Sequence, residues 1–215
     1  MPLDLWVYQE ILHELRPRFI VECGTAAGGS ALFLASVCEL LGVGEVVTVD
    51  IEERPGRPAH DRITYLRGSS VAEDVVGRVK GLVRDAAPVL VILDSDHSRE
   101  HVLRELRLYG EIVTPGSYLI VEDTNVNGHP VSELHGPGPM EAVEQFLSEI
   151  PVNIDERNAA TGRDVLKKKI PEERRFPRSG FSDAVYVLRS VLLLKTKATI
   201  AAPYIALADM RLFVL

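Results

Sequence analysis

Phe19-Ile20-Val21-Glu22-Cys23-Gly24-Thr25-Ala26-Ala27-Gly28-Gly29-Ser30 is the stretch that decides the fold. Phe19 to Cys23 read as a buried strand, Gly24 to Gly29 as a glycine turn, and Ser30 to Leu41 as a helix closed by Gly42. A strand that runs through a glycine turn into a helix is the opening unit of a parallel α/β sheet, where ligands bind at the carboxyl ends of the strands.

The unit recurs along the chain. Upstream, Leu5, Tyr8, Ile11, Leu12 and Leu15 fall at helical spacing, and Pro17 ends that helix. Downstream, Val46-Val47-Thr48-Val49-Asp50 is a second strand that ends on an acid. A loop through Pro55, Gly56 and Pro58 leads to a short third strand, Ile63-Thr64-Tyr65-Leu66, followed by Gly68-Ser69-Ser70. A helix from about Ala72 to Val83 precedes Val89-Leu90-Val91-Ile92-Leu93-Asp94, which is apolar on both faces as a central parallel strand must be. The spacing then predicts a helix from Ser98 to about Tyr109 and a fifth strand, Tyr118-Leu119-Ile120-Val121-Glu122-Asp123. Strand and helix alternate five times, which specifies a doubly wound α/β sheet with right-handed crossovers.

A turn-rich stretch from Asn125 to Pro139 and a helix from Met140 to Ile150 follow. After about Arg157 the pattern degrades: Lys167-Lys168-Lys169 and Glu172 to Arg178 are charged and broken by Pro171 and Pro177. Residues 1–157 are therefore read as the core and 158–215 as a divergent C-terminal segment. That segment is read either as closing strands (candidates Val185 to Leu188 and Val191 to Leu194) or as poorly ordered chain.

The 215 residues fit one domain, large enough to bury roughly 70% of the surface exposed by the unfolded chain. Its net charge of −7 argues against broad nucleic-acid binding, which needs a basic face. Cys23 and Cys38 make no disulfide framework, so a reducing, cytoplasmic location is the simpler reading. The start, Met1-Pro2-Leu3-Asp4, does not read as a signal peptide, and no stretch approaches the ~20 apolar residues of a membrane helix.

Three segments, Glu22 to Ser30, Asp94-Ser95-Asp96-His97 and Glu122-Asp123, lie at strand ends and converge on one crevice. A dinucleotide fingerprint needs glycines at the first, third and sixth positions of the turn. Counted from Gly24, the third is Ala26, so the middle glycine is missing. S-adenosylmethionine carries no phosphates and suits Glu22-x-Gly24-x-x-x-Gly28-x-Ser30 better. The expected cofactor residues are Glu22, Gly24, Thr25, Ala26, Gly28 and Ser30, with Asp50 on the ribose hydroxyls, Ser69 and Ser70 near the adenine, and Asp94 at the border.

Asp94, Glu122 and Asp123 are crowded carboxylates that repel one another unless a hard divalent cation joins them; oxygen ligands favour Mg²⁺, Mn²⁺ or Ca²⁺. Such a cation could bind a substrate hydroxyl and hold it in line with a methyl sulfonium. His97 stands three residues after Asp94, where it could take the hydroxyl proton. Asp96 is a second candidate base that also stands where it would cap the next helix.

These residues resemble the cephalosporin hydroxylase-like family of class I S-adenosylmethionine-dependent methyltransferases, whose metal site is similar to that of the macrocin and mycinamicin sugar O-methyltransferases. The matching segments include Leu5 to Leu12, Gly24 to Ser30, Ile92 to Ser98, Pro115 to Asp123, Asn127-Gly128-His129-Pro130 and Gly136-Pro137-Gly138-Pro139. The resemblance implies a Rossmann-like, mostly parallel sheet, Mg²⁺ on Asp94, Glu122 and Asp123, His97 as base, and a loop from Asn125 to Pro139 over the acceptor. The partner it implies is a small-molecule hydroxyl acceptor, with neither nucleic acid nor membrane, and with a homo-oligomer left open. The Leu-Leu-Thr-Phe-like run and Asn-Pro-Gly-Gly-like turn expected near the family's C-terminus do not occur in Asn158 to Leu215. A nicotinamide-dependent oxidoreductase and a non-catalytic cofactor-binding module are the competing readings.

Overall fold

The computed structural model describes residues 2–149, 192–196 and 210–214. The five aliphatic runs become parallel strands: β1 (Phe19–Cys23), β2 (Glu45–Asp50), β3 (Ile63–Arg67), β4 (Val89–Leu93) and β5 (Tyr118–Val121). Two further strands, β6 (Leu192–Thr196) and β7 (Met210–Val214), complete a seven-stranded sheet of order β3-β2-β1-β4-β5-β6-β7. β6 runs antiparallel to β5, and β7 antiparallel to β6. The described parts of 158–215 thus extend the sheet of 1–157 rather than build a second one. β6 covers part of the candidate run Val191 to Leu194, β7 had no counterpart among the expected elements, and Val185 to Leu188 and the charged stretches lie outside the described residues.

β4 is buried at every position because helices cover both faces of the sheet. Alternate residues of each strand serve the two layers. Ile20, Val46, Leu90 and Ile92 pack with α1 (Pro2–Leu15) and α2 (Gly29–Leu41). Val21, Val47, Val91 and Leu93 pack with α3 (Glu73–Leu82), α4 (Arg99–Tyr109) and α5 (Pro139–Glu149). The loop expected through Pro55, Gly56 and Pro58 joins β2 to its parallel neighbour β3 with no helix between them, so strand and helix do not alternate five times. The proline- and glycine-rich composition there disfavours a helix.

β1 pairs with β2 on one edge and β4 on the other, so the chain reverses direction across the sheet between β1 and β4. A doubly wound sheet opens its ligand crevice at such a switch point. The Gly24 turn and the Asp94 loop emerge there side by side. Among the described residues, no helix is long and apolar enough to cross a membrane.

Candidate active site

Gly24 begins the turn with φ +102°, and its N–H donates to the Val49 carbonyl at 2.8 Å. A Cβ at this position would run into the backbone carbonyl of Asp94. Only glycine lets the two loops come so close. α2 then starts at Gly29 with no side chain capping its first turn, leaving N–H groups available at the crevice.

Beneath the turn lies a buried hydrogen-bond chain. The Thr48 hydroxyl donates to Glu22 Oε2 at 2.6 Å, so Thr25, 2.6 Å from the same hydroxyl, is the donor to Thr48. Burial raises the Glu22 carboxyl to about 7 against the pull of hydrogen bonds from Ser30 and Thr48; Asp94 adds to the rise and Arg57 opposes it. Of the expected cofactor residues, Glu22 and Thr25 are therefore 2% and 1% exposed and both meet Thr48, whereas Ala26 and Ser30 are exposed.

The raised Glu22 has a measurable consequence. The folded chain holds this proton between pH 4.5 and about 7, where the unfolded chain has released it. Stability from this group is therefore full below the unfolded value and declines as pH rises to about 7, by on the order of 3 kcal/mol. Urea midpoints across that range are expected to fall in the wild type and to lose this slope in Glu22→Gln.

Asp50 ends β2 as expected, but its oxygens are already engaged: Oδ2 accepts the Ala26 N–H at 2.7 Å and lies 3.3 Å from Arg57 Nη2, and Oδ1 accepts the Glu52 N–H at 2.8 Å. Ser70 does not face the crevice. Its hydroxyl lies 3.0 Å from His101 Nε2 and its carbonyl accepts the Tyr109 hydroxyl, while Ser69 closes the turn that leads towards α3. His101 in turn lies 3.4 Å from the fully buried Glu105, which also accepts the Ser95 hydroxyl at 2.6 Å. α4 thereby ties the loop after β3 to the loop after β4.

At the ends of β4 and β5, ligand atoms of Asp94, His97 and Asp123 lie within 4.8 Å of one another. His97 Nε2 is 3.4 Å from Asp94 Oδ1 and 3.2 Å from Asp123 Oδ2. The hydrogen bond with Asp94 raises the pKa of His97, burial opposes the rise, and the Asp123 charge adds to it. Glu122 is not part of this trio: its Oε1 accepts the hydroxyl of Tyr8 on α1. Just past the end of β5, Asp123 leaves the extended conformation, at φ +52°, and reaches His97, while Glu122 reaches Tyr8. Burial first, then the Glu122 charge, raises the Tyr8 phenol well above its usual range. Asp96 does not cap α4, whose first turn receives no side-chain cap; its Oδ1 instead accepts the Ser98 N–H at 2.8 Å in the turn before the helix, and its bonds to Ser98 hold its pKa down.

The loop between β5 and α5, which follows Asp123, is fastened by Glu141. One carboxylate oxygen meets Asn127 Nδ2 at 2.9 Å and His129 Nε2 at 2.8 Å, and the other accepts the Gly138 N–H at 2.7 Å. Burial would raise this carboxyl, but the bonds from Gly138, His129 and Asn127 prevail and bring it down to about 2. The loop base is tied to α4 as well, through the Arg99 N–H and the Pro137 carbonyl at 3.0 Å.

Residues 1–163, about three quarters of the chain, match the family model "Rhamnosyl O-methyltransferase/CmcI". The chain belongs to this family. The rhamnosyl O-methyltransferase of Mycobacterium tuberculosis strain H37Rv is 40% identical to it over 153 residues, covering 69% of this chain and 62% of that protein. The chain thus spans about three fifths of the length of that curated relative. Among solved structures, apo CmcI-N160 is similar at 25% identity and a TM-score of 0.53, over 68% of this chain and 61% of that one. MycE, a methyltransferase of mycinamycin biosynthesis solved with Mg, SAH and mycinamycin VI, shares the fold at 17% identity and a TM-score of 0.50, over 68% of this chain and 42% of that one.

In this member of the rhamnosyl O-methyltransferase/CmcI family, the site also contains residues that sequence reasoning passed over. Tyr8 occupies an apolar position of an amphipathic helix and carries no sign of its partner. Thr48 had a signal, being the one polar side chain inside an otherwise aliphatic strand. Arg57 had none, since its neighbours come together only when the loop 51–62 folds back.

Proposed function

We propose that this chain is an S-adenosylmethionine-dependent, Mg²⁺-assisted O-methyltransferase acting on a hydroxyl of a small molecule, a sugar or natural product. The observation that carries the reading is the Asp94–His97–Asp123 trio, which sits at the switch point beside the glycine turn. The rhamnosyl O-methyltransferase relatives support a sugar acceptor. The missing middle glycine is in keeping with a sulfonium cofactor rather than a dinucleotide. Ala26 spends its N–H on Asp50, where a dinucleotide would need it for pyrophosphate.

The residues fit the cation: Asp94 and Asp123 are two partly exposed carboxylates facing one space, the donor type that hard divalent ions take. When bound, it would supply Lewis acidity towards a substrate hydroxyl. His97 accepts the hydroxyl proton at Nε2 while the methyl carbon leaves sulfur for oxygen, giving the methyl ether and S-adenosylhomocysteine. The glycine turn and Asp50 orient the cofactor, and the loop held by Glu141 shields the acceptor from water. Glu122 supports the site from behind through Tyr8. Acidic charge and two unpaired, buried cysteines suit a cytoplasmic enzyme that binds neither nucleic acid nor membrane.

A second reading draws on one feature: Arg57 beside Asp50 is an arrangement that can accept the 2′-phosphate of a nicotinamide dinucleotide. Calorimetry separates the two. Binding of S-adenosylhomocysteine without NAD(P)H binding, and methyl transfer lost in EDTA, is the expected result. NAD(P)H binding with no response to S-adenosylhomocysteine would reverse the choice, and turnover unchanged in EDTA would remove the cation from it.

A further inference from the structure

Ala26 is an exposed, non-glycine residue at φ +45°, a left-handed conformation that costs an L-residue roughly 1–2 kcal/mol. Something must hold it there. Its N–H donates to Asp50 Oδ2 at 2.7 Å, its carbonyl accepts Arg57 Nε at 3.0 Å, and Arg57 Nη2 lies 3.3 Å from the same Asp50 oxygen. Asp50, Ala26 and Arg57 thus form a closed ring around the turn's third position.

The ring is enclosed. The Arg57 and Asp50 side chains are only 11% and 14% exposed. The guanidinium lies 5.7 Å from the centre of the Tyr65 ring, and the Tyr65 hydroxyl anchors the loop through the Pro58 carbonyl at 2.8 Å. Arg57 Nη2 is buried and makes no well-formed hydrogen bond, although Asp50 is within reach. A buried guanidinium with an unspent donor is costly, and a surface loop has no packing need for one.

We infer that Arg57 is a positioning residue of the cofactor site, locking Asp50 and the glycine turn in the conformation that receives the cofactor ribose. The inference rests on the S-adenosylmethionine reading above. Arg57 acts through Asp50: by fixing that carboxylate from one side, it leaves the remaining lone pairs directed at the ribose hydroxyls. Without it, Ala26 relaxes out of the left-handed region and takes its hydrogen bond to Asp50 with it.

The test is calorimetry with S-adenosylhomocysteine on the full chain, comparing wild type, Arg57→Ala, Asp50→Ala and the double variant. Arg57→Ala is expected to weaken binding about tenfold, and the double variant to bind no more weakly than Asp50→Ala alone. Arg57→Lys, which keeps the charge but cannot bridge both oxygens, is expected to recover part of the loss, with the unliganded melting temperature nearly unchanged throughout. Arg57→Gln replaces Arg57→Ala should the latter not fold. Fully additive losses, or an unaltered dissociation constant in Arg57→Ala, would overturn the role of Arg57. No binding by the wild type would instead overturn the cofactor reading on which the inference stands.

Discussion

Asp94→Asn is expected to lower methyl transfer by at least about 100-fold while leaving the dissociation constant for S-adenosylhomocysteine within a few-fold of wild type. The reason is positional. Asp94 stands at the end of β4, its carboxylate close to the His97 imidazole and grouped with the Asp123 carboxylate, so the exchange removes one of two negative charges available to a cation. Its backbone is unaffected: the Asp94 N–H still donates to the Cys23 carbonyl, and its own carbonyl still faces Gly24. The measurements are Mn²⁺ affinity by electron paramagnetic resonance titration and transfer of a labelled methyl group to sugar hydroxyls. Retained Mn²⁺ affinity together with retained transfer would show that the trio holds no catalytic cation. Loss of S-adenosylhomocysteine binding would show that Asp94 serves the cofactor first.

Gly24→Ala has the largest expected effect on the fold. The new methyl group would have to occupy the space of the Asp94 carbonyl, and the residue would have to keep φ +102°. Together these are expected to cost roughly 3 kcal/mol, a fall of about 6–12 °C in melting temperature for a chain of this size. Cofactor affinity should fall with it, because the turn can relax only by moving away from β4. Gly42→Ala is the control: Gly42 also has a positive φ, +70°, but an added Cβ meets nothing within 4 Å. Equal melting temperatures for the two variants would show that the close approach of the loops is not what Gly24 provides.

The parallel strands were legible because each is a short aliphatic run ending on a residue with chemistry, and both signals are local. The three site segments followed from those strand ends. What escaped was set by geometry that no local pattern encodes. Glu122 and Asp123 are adjacent in sequence, yet the left-handed turn at Asp123 after β5 sees one reach Tyr8 and the other His97. Ser70 reads as a loop serine but faces inward to His101. Asp96, three residues before α4, reads as its cap but bonds only the Ser98 N–H in the preceding turn, an engagement that competes with any role as base. β7 pairs antiparallel with β6, a partner that no local pattern in Met210–Val214 names.

The base of the loop over the site has one further consequence. A side chain at Gly138 would come within 2.9 Å of Val126 Cγ2 and 3.3 Å of the His97 carbonyl, so the hinge of the covering loop and the proposed proton acceptor share one packing unit. The tip is different: Leu134 is fully exposed and touches no such constraint. On the proposed reading, substitutions at the tip would leave the proton acceptor undisturbed, whereas a side chain added at Gly138 would press on it.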